Sequence, residues 1–564
     1  MWVILAAAIA AYCLIPSSTE DSDLIVHTTS GDVVGSIHST PAGLVRCFRG
    51  IPYAEPPLGE LRFKKPSPKK PWRGKRFDFH RPPMCPQLPA RINSFFVISP
   101  HDPVSEDCLY LNVFAPLRND STLRPIIVYI HGGAFTLGGI SMPIFNSAEL
   151  AGRGDLIVVN IAYRLGALGF LSMGIEDAPG NMGLYDQRLA LRWVNDNARA
   201  FGGDPDMITV MGQSAGAISV SMHLLSPNSS GLFRRAFLQS GSPFIRGFIS
   251  KPEQATHRAG LLTGLLGCSQ EGPRERSPSD VVACLRSRDF TDILNASESF
   301  NVAGMDGFFP VFSEDFVSPQ MAARMQAEPN ARDILLSVCE SEGDFFMNHV
   351  LTNVNNIDDV DGVKKNMAIS LVKVLLTALT TADTRPIIKH YFDPVTARSG
   401  ADVVHAASDI IGDFLFGCPA LKHARMLTAA NASVHVFRFA EKASFVDWAR
   451  WVRPTHADDI LFSLGSAALP MYRDKASDAD YEATENLIYV LSKFSRSGVP
   501  KVADGTSWPR FDDQDGYLHM RNGRNVPKKH FLSSTCEFWN NLQFPTEQQA
   551  EVHAYVSRRG VSTV

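Results

Sequence analysis

Three short apolar runs punctuate the first half of the chain: "PIIVYI" at 125–130, "LIVVNIAY" at 156–163 and "MITVM" at 207–211. Each is rich in β-branched residues, apolar nearly throughout, and shorter than an ordinary helix. That is the pattern of strands buried on both faces. Between the second and third, Leu184, Leu191, Val194, Ala198 and Phe201 recur at helical spacing and predict an amphipathic helix. Strands alternating with such helices predict an α/β protein with a large, mostly parallel sheet flanked by helices. From about residue 250 the texture changes to polar loops and longer helical patterns, such as "TENLIYVLSKFSRSG" with Leu487, Ile488, Leu491 and Phe494. This half is expected to form a mainly helical covering region around the core. With no internal repeat and no low-complexity linker, residues 19–550 read as one domain, followed by a polar tail at 551–564.

The N-terminal "MWVILAAAIAAYCLIPSS" carries an apolar stretch of about 14 residues. Spanning a bilayer takes about 20, so residues 1–18 are expected to be a signal peptide and the mature chain to be secreted. No later segment is apolar for long enough to span, since "MAISLVKVLLTALTT" is interrupted by Lys373. Composition is ordinary for a globular protein: 564 residues, 45% apolar, 20% charged, net charge −4. That balance gives no support to a nucleic-acid partner, and nothing in the sequence sets the oligomeric state. After loss of Cys13, eight cysteines remain, which allow 105 pairings that spacing alone does not resolve. Asn-x-Ser/Thr sequons stand at Asn119, Asn228, Asn295 and Asn431, as a secreted glycoprotein would carry them.

The chemistry begins at "MGQSAG", 211–216, directly after an apolar run and before the helix-like "AGAISVSMHLL". A serine on a sharp strand-to-helix turn is the nucleophile elbow, G-x-S-x-G. Gly212 and Gly216 are expected because a side chain at either place would collide with the neighbouring strand or helix. The helix start also offers backbone N–H groups to an oxyanion formed beside the serine. Upstream, "IHGGAF" at 130–135 ends a predicted strand, and its two glycines leave backbone N–H groups unobstructed. His131 in that loop is read as structural.

These residues, together with "FRGIPYAEPPLGELRF" (48–63), "EDCLYLNVFAP" (106–116), "GNMGLYDQRLALRWV" (180–194), "FGGDPDMITVMGQSAGA" (201–217) and "GLFRRAFLQSGSP" (231–243), resemble the carboxylesterase/cholinesterase (type B) family of α/β-hydrolases over nearly the whole chain. The resemblance implies the α/β-hydrolase fold and a serine esterase acting on small-molecule esters, with no metal or organic cofactor. On this fold the triad runs Ser, acid, His in chain order. Of 16 histidines, 11 follow Ser214, so order alone does not choose among them. The family pattern places the acid on Glu342 in "CESEGDFF", with Glu340 its nearest rival, and the histidine on His456 in "PTHADDILFSLG". It also implies an oxyanion hole from the N–H groups of Gly133, Ala134 and Ala215. Its disulfide pattern implies Cys85–Cys108, Cys268–Cys284 and Cys418–Cys536, leaving Cys47 and Cys339 as thiols.

The chain departs from the family pattern at four places. Arg453 stands where glycine is usual before the histidine, and Asp459 where glutamate is usual after it. Gln213 replaces the usual glutamate before the serine, and residues 86–107 hold no tryptophan, only Phe95 and Phe96. Acetylcholinesterases carry a tryptophan in that loop that faces the choline ammonium. "GQSAG" with "HADD" resembles the juvenile hormone esterases of arthropods. A general carboxylesterase is therefore the expectation, with juvenile-hormone-esterase-like or cholinesterase-like specificity as the alternative. An adhesion protein of the same fold that has lost catalysis is the competing class.

Overall fold

The computed structural model describes residues 24–79, 81–91, 96–269, 276–300, 307–313, 315–316, 329–354, 359–379, 383–395, 399–521 and 523–542. The expected signal peptide at 1–18, the tail at 551–564 and Phe95 lie outside them.

Eleven strands form the main sheet. In chain order they are β1 (Ser36–Thr40), β2 (Gly43–Pro52), β3 (Tyr110–Pro116), β4 (Arg124–Ile130), β5 (Ile157–Ile161), β6 (Gly203–Gln213), β7 (Arg235–Gln239), β8 (Asp333–Cys339), β9 (Ser433–Phe439), β10 (Tyr517–Arg521) and β11 (Arg524–Lys528). Across the sheet the order is β11-β10-β9-β8-β7-β6-β4-β5-β3-β2-β1. Every pairing from β10 through β5 is parallel. The flanking pairs β10/β11, β5/β3, β3/β2 and β2/β1 are antiparallel. The sheet is mixed, with a parallel centre.

The continuous apolar runs of β4 and β5 follow from that placement, because every residue in both strands is buried. Their period of two divides the side chains between two cores. Ile126, Val128 and Ile130 pack on one face, Ile127 and Tyr129 on the other. Helix Met182–Asn197 covers the first face through Leu184, Leu191 and Val194. Helix Asp478–Ser497 covers the second through Leu487, Ile488, Leu491 and Phe494. It starts on a Ser477/Asp480 capping box and stops at Gly498, φ 77°.

The half beyond residue 250 supplies helices, as its pattern predicts, and also β8 to β11. Long, largely helical insertions between β8, β9 and β10 dominate the local sequence pattern, and only residues 522–523 lie between β10 and β11. The carboxyl ends of β6, β8 and β9 point to one side of the sheet. In open parallel sheets the functional crevice lies at such ends.

Candidate active site

β6 runs straight into Ser214, whose backbone sits at φ 54°, ψ −122°. A serine does not adopt that conformation freely, and holding it there costs about 1–3 kcal/mol. Two hydrogen bonds fix the turn: Ser214 N donates to Gln239 O of β7 at 2.8 Å, and Ile218 N to Ser214 O at 2.9 Å. The flanking glycines are required by close approach. A Cβ on Gly212 would sit 2.4 Å from Gly216, and one on Gly216 would sit 2.0 Å from the Ile130 carbonyl oxygen. Helix Ala215–Leu225 begins at the next residue, so the Ala215 N–H lies at its positive end.

Glu342 opens helix Glu342–Asn348 just beyond β8, and His456 lies in the segment that follows β9. The two meet as buried side chains, His456 Nδ1 to Glu342 Oε2 at 2.6 Å. The other carboxylate oxygen, Oε1, accepts from Ser240 Oγ and from Cys339 N, both at 2.6 Å. A carboxylate with all these donors has one orientation available, and Nδ1–H is thereby fixed on the imidazole. Its other nitrogen, Nε2, faces the side-chain amide of Gln213 at 3.1 Å. No hydrogen bond joins Nε2 to Ser214 Oγ. Glu340, the rival acid, points elsewhere, with Oε1 3.6 Å from His519 Nε2 and 3.8 Å from Arg521 Nη1. Gly343 is again a matter of space, since its Cβ would fall 1.8 Å from the Ser408 carbonyl oxygen.

The acid turn and the histidine segment are fastened to each other. Ser341 N donates to Pro454 O, and Thr455 Oγ1 donates to Ser341 O while accepting from Phe345 N. Arg453 adds its backbone N, Nε and Nη2, all on Asp344, at 2.8, 3.1 and 2.8 Å, and Nη2 also reaches Asp409 at 2.7 Å. Burial opposes a charge on the guanidinium, but Asp344 and Asp409 more than offset it and raise its pKa. Asp458 accepts from Thr455 N and from Trp448 Nε1, and burial pushes it up to about 7. Asp459, fully buried, accepts from Ser337 Oγ at 3.0 Å. Burial, and then the nearby Glu342 charge, push it up to about 6. Ser240, Asp344 and Thr455 were not legible as site residues, because each acts through a partner distant in sequence.

Gly133 (φ 109°) and Ala134 (φ 53°) turn the loop after β4 toward the same end of the sheet. Among the described residues, the N–H groups of Gly133, Ala134 and Ala215 donate to no other loop or strand. Gln87, just past Cys85, grips this loop from both sides, donating to Gly138 O and accepting from Gly138 N. His131 is packed away between Tyr163 and Phe145, and burial lowers it to about 4. Around His456 stand the rings of Phe416, Phe345 and Phe346, at centroid distances of 4.4, 5.5 and 5.7 Å. Phe96 of the first disulfide loop is buried against Phe145 instead.

Three disulfides are present, Cys85–Cys108, Cys268–Cys284 and Cys418–Cys536, and Cys47 and Cys339 are buried thiols. Asn119, Asn228, Asn295 and Asn431 are all exposed. Among the described residues no helix is long and apolar enough to cross a membrane.

The family model described as the carboxylesterase family matches residues 22–539. A cholinesterase of Mus musculus is 34% identical over 547 residues, covering 94% of this chain and 88% of that protein. An acetylcholinesterase of Bungarus fasciatus is 32% identical over 536 residues, covering 92% of this chain and 86% of that protein.

Proposed function

Because the chain belongs to the carboxylesterase family, whose members hydrolyse carboxylic esters, we propose that it is a secreted serine esterase working through an acyl-enzyme. Ser214 Oγ attacks the ester carbonyl while His456 Nε2 takes its proton. Glu342 holds the imidazole and stabilises the imidazolium that forms. The N–H groups of Gly133, Ala134 and Ala215 receive the oxyanion, where donors fixed in advance contribute most. His456 then protonates the departing alcohol, and water repeats the sequence on the acyl-enzyme. The observation that carries this reading is the buried 2.6 Å His456–Glu342 contact beside a serine held at φ 54° on a strand tip. A turn held at a cost of about 1–3 kcal/mol favours catalysis over an adhesion role without it.

Secretion is supported by the three disulfides, which persist in oxidising compartments, and by four exposed sequons. Neutral esters are the proposed substrates. Residues 86–107 lack a tryptophan to face a quaternary ammonium, and the residue before the serine is the uncharged Gln213. The test is labelling with a fluorophosphonate followed by peptide mass spectrometry. Ser214 should carry the adduct, and Ser214→Ala should lose both labelling and aryl-ester turnover while keeping its fold. Wild-type turnover in Ser214→Ala would remove the assignment.

A further inference from the structure

The nitrogen of His456 that must receive the serine proton is already engaged. Its Nδ1 faces Glu342 at 2.6 Å, which places the single proton of a neutral imidazole there. Nε2 is then a bare lone pair, able to accept one in-plane hydrogen bond. The Gln213 amide nitrogen, on a side chain 5% exposed, lies 3.1 Å from it and is the donor in that contact. Ser214 O–H needs the same lone pair. We propose that Gln213 is a positioning residue that latches the general base: its amide occupies Nε2 in the resting enzyme and must withdraw before Ser214 is activated.

The surroundings make the contact specific. Gln213 is the last residue of β6, so its backbone is fixed by pairing with Gln239 of β7. On the far side lies Gly132, where a Cβ would come within 2.6 Å of Gln213 Oε1. The groove against Gly132 thus holds the oxygen end of the amide and turns the nitrogen end toward His456. A glutamate at this position has no hydrogen to offer Nε2 and cannot form the latch. It would instead favour the imidazolium, because an opposite charge within hydrogen-bond range stabilises the protonated form. Exchanging glutamate for glutamine before the serine therefore changes which state of the histidine the residue supports. The glutamine supports the neutral resting base, and a glutamate would support the protonated one.

This inference rests on the triad reading, and the experiment separates the two. Stopped-flow phosphonylation by a small uncharged fluorophosphonate is measured for wild type, Gln213→Met and Gln213→Asn across pH 5 to 9. The methionine keeps the length without the donor, and the asparagine keeps the amide but falls one methylene short. Both should react faster than wild type, by about fivefold, the factor that corresponds to one neutral hydrogen bond of ordinary net strength. A side chain that merely fills space would leave the rate unchanged or lower it when replaced, so acceleration in both variants is a readout that a structural role does not produce. If wild type reacts but Gln213→Met and Gln213→Asn are equal to it or slower, the latch is refuted and the triad stands. If wild type itself fails to react, the triad reading falls and the latch falls with it. Should the methionine variant not fold, the asparagine variant decides by the same rate.

Discussion

Removing the Arg453 guanidinium tests whether the histidine segment depends on its fastening to the acid turn. Asp344, its partner, is completely buried and takes three contacts from Arg453, one from the backbone and two from the side chain. In Arg453→Met the stem volume stays and the backbone contact survives, but a buried carboxylate loses its counter-ion. Breaking one side of a buried pair costs about 3–5 kcal/mol. The second contact, to the 44% exposed Asp409, adds little. Arg453 is itself 31% exposed, so the lower end, about 3 kcal/mol, is the expected loss. Asp344→Asn in the same chain removes the stranded charge and should recover at least about half of it. Urea unfolding of wild type, both single variants and the double variant gives the coupling energy, expected at about 2 kcal/mol. Catalysis should fall too, because His456 lies three residues on. A displacement of about 1 Å at a reacting group costs on the order of a hundredfold, so kcat/KM for an aryl ester should drop about 10- to 100-fold in Arg453→Met. An Arg453→Met variant within about 0.5 kcal/mol of wild type, or a double variant equal to the sum of the singles, would refute the fastening.

Glu342→Gln should lower kcat by orders of magnitude because the imidazolium loses its charged partner. Glu340→Gln should be nearly silent, since its carboxylate faces His519 and Arg521; reversed effects would move the acid by two residues. Asp459 is raised from 3.8 to about 6, so the folded chain holds its proton more tightly than the unfolded chain. The stability this contributes is present below about pH 4 and lost as pH rises through about 6. Asp459→Asn should therefore exceed wild type in Tm at pH 8, with the margin shrinking toward pH 4; a margin that grows on acidification contradicts the burial argument. Choline esters should be poorer substrates than isosteric neutral esters by about a hundredfold in kcat/KM, the equivalent of losing about 2–3 kcal/mol of cation stabilisation. Gln213→Glu should narrow that gap, and a wild-type preference for the choline ester would overturn the neutral-ester proposal.

What was legible in the sequence follows from which interactions are local. β4, β5 and β6 announce themselves because strands buried on both faces must be apolar throughout, and Met182–Asn197 because one helical face must be. The elbow is local as well: strand, serine, helix and two spacing glycines all lie within a few residues. Glu342 and His456 are not. Nothing within a few residues of either distinguishes it from other acids and histidines, and only the family pattern picked them out. The strands β8, β9 and β10 are hidden for a related reason, since long, largely helical insertions separate them and swamp their local pattern, while β11 is a five-residue strand of mostly exposed polar residues. Ser240 and Asp344 were invisible because a hydroxyl and a carboxylate on the surface look the same, in sequence, as ones buried against Glu342 and Arg453.

The departures from the family pattern gain a common meaning once they are placed in space. Arg453, Asp459 and Gln213 all surround the same acid–histidine pair. Arg453 ties the turn bearing Glu342 to the segment bearing His456. Asp459 is fully buried within electrostatic reach of both, its pKa raised to about 6 by burial and then by the Glu342 charge, with His456 pulling the other way. Gln213 puts a neutral amide at Nε2, where a glutamate would put a second anion. Glu342 is consequently the one carboxylate in hydrogen-bond contact with the imidazole among the described residues. On the proposed triad, stabilisation of the imidazolium rests on Glu342, with the rings of Phe416, Phe345 and Phe346 packed around His456. Asp459 is within electrostatic reach of His456 but makes no hydrogen bond to the imidazole, so it cannot orient the ring when Glu342 is neutralised, and that is why the loss of Glu342 should be felt so heavily here.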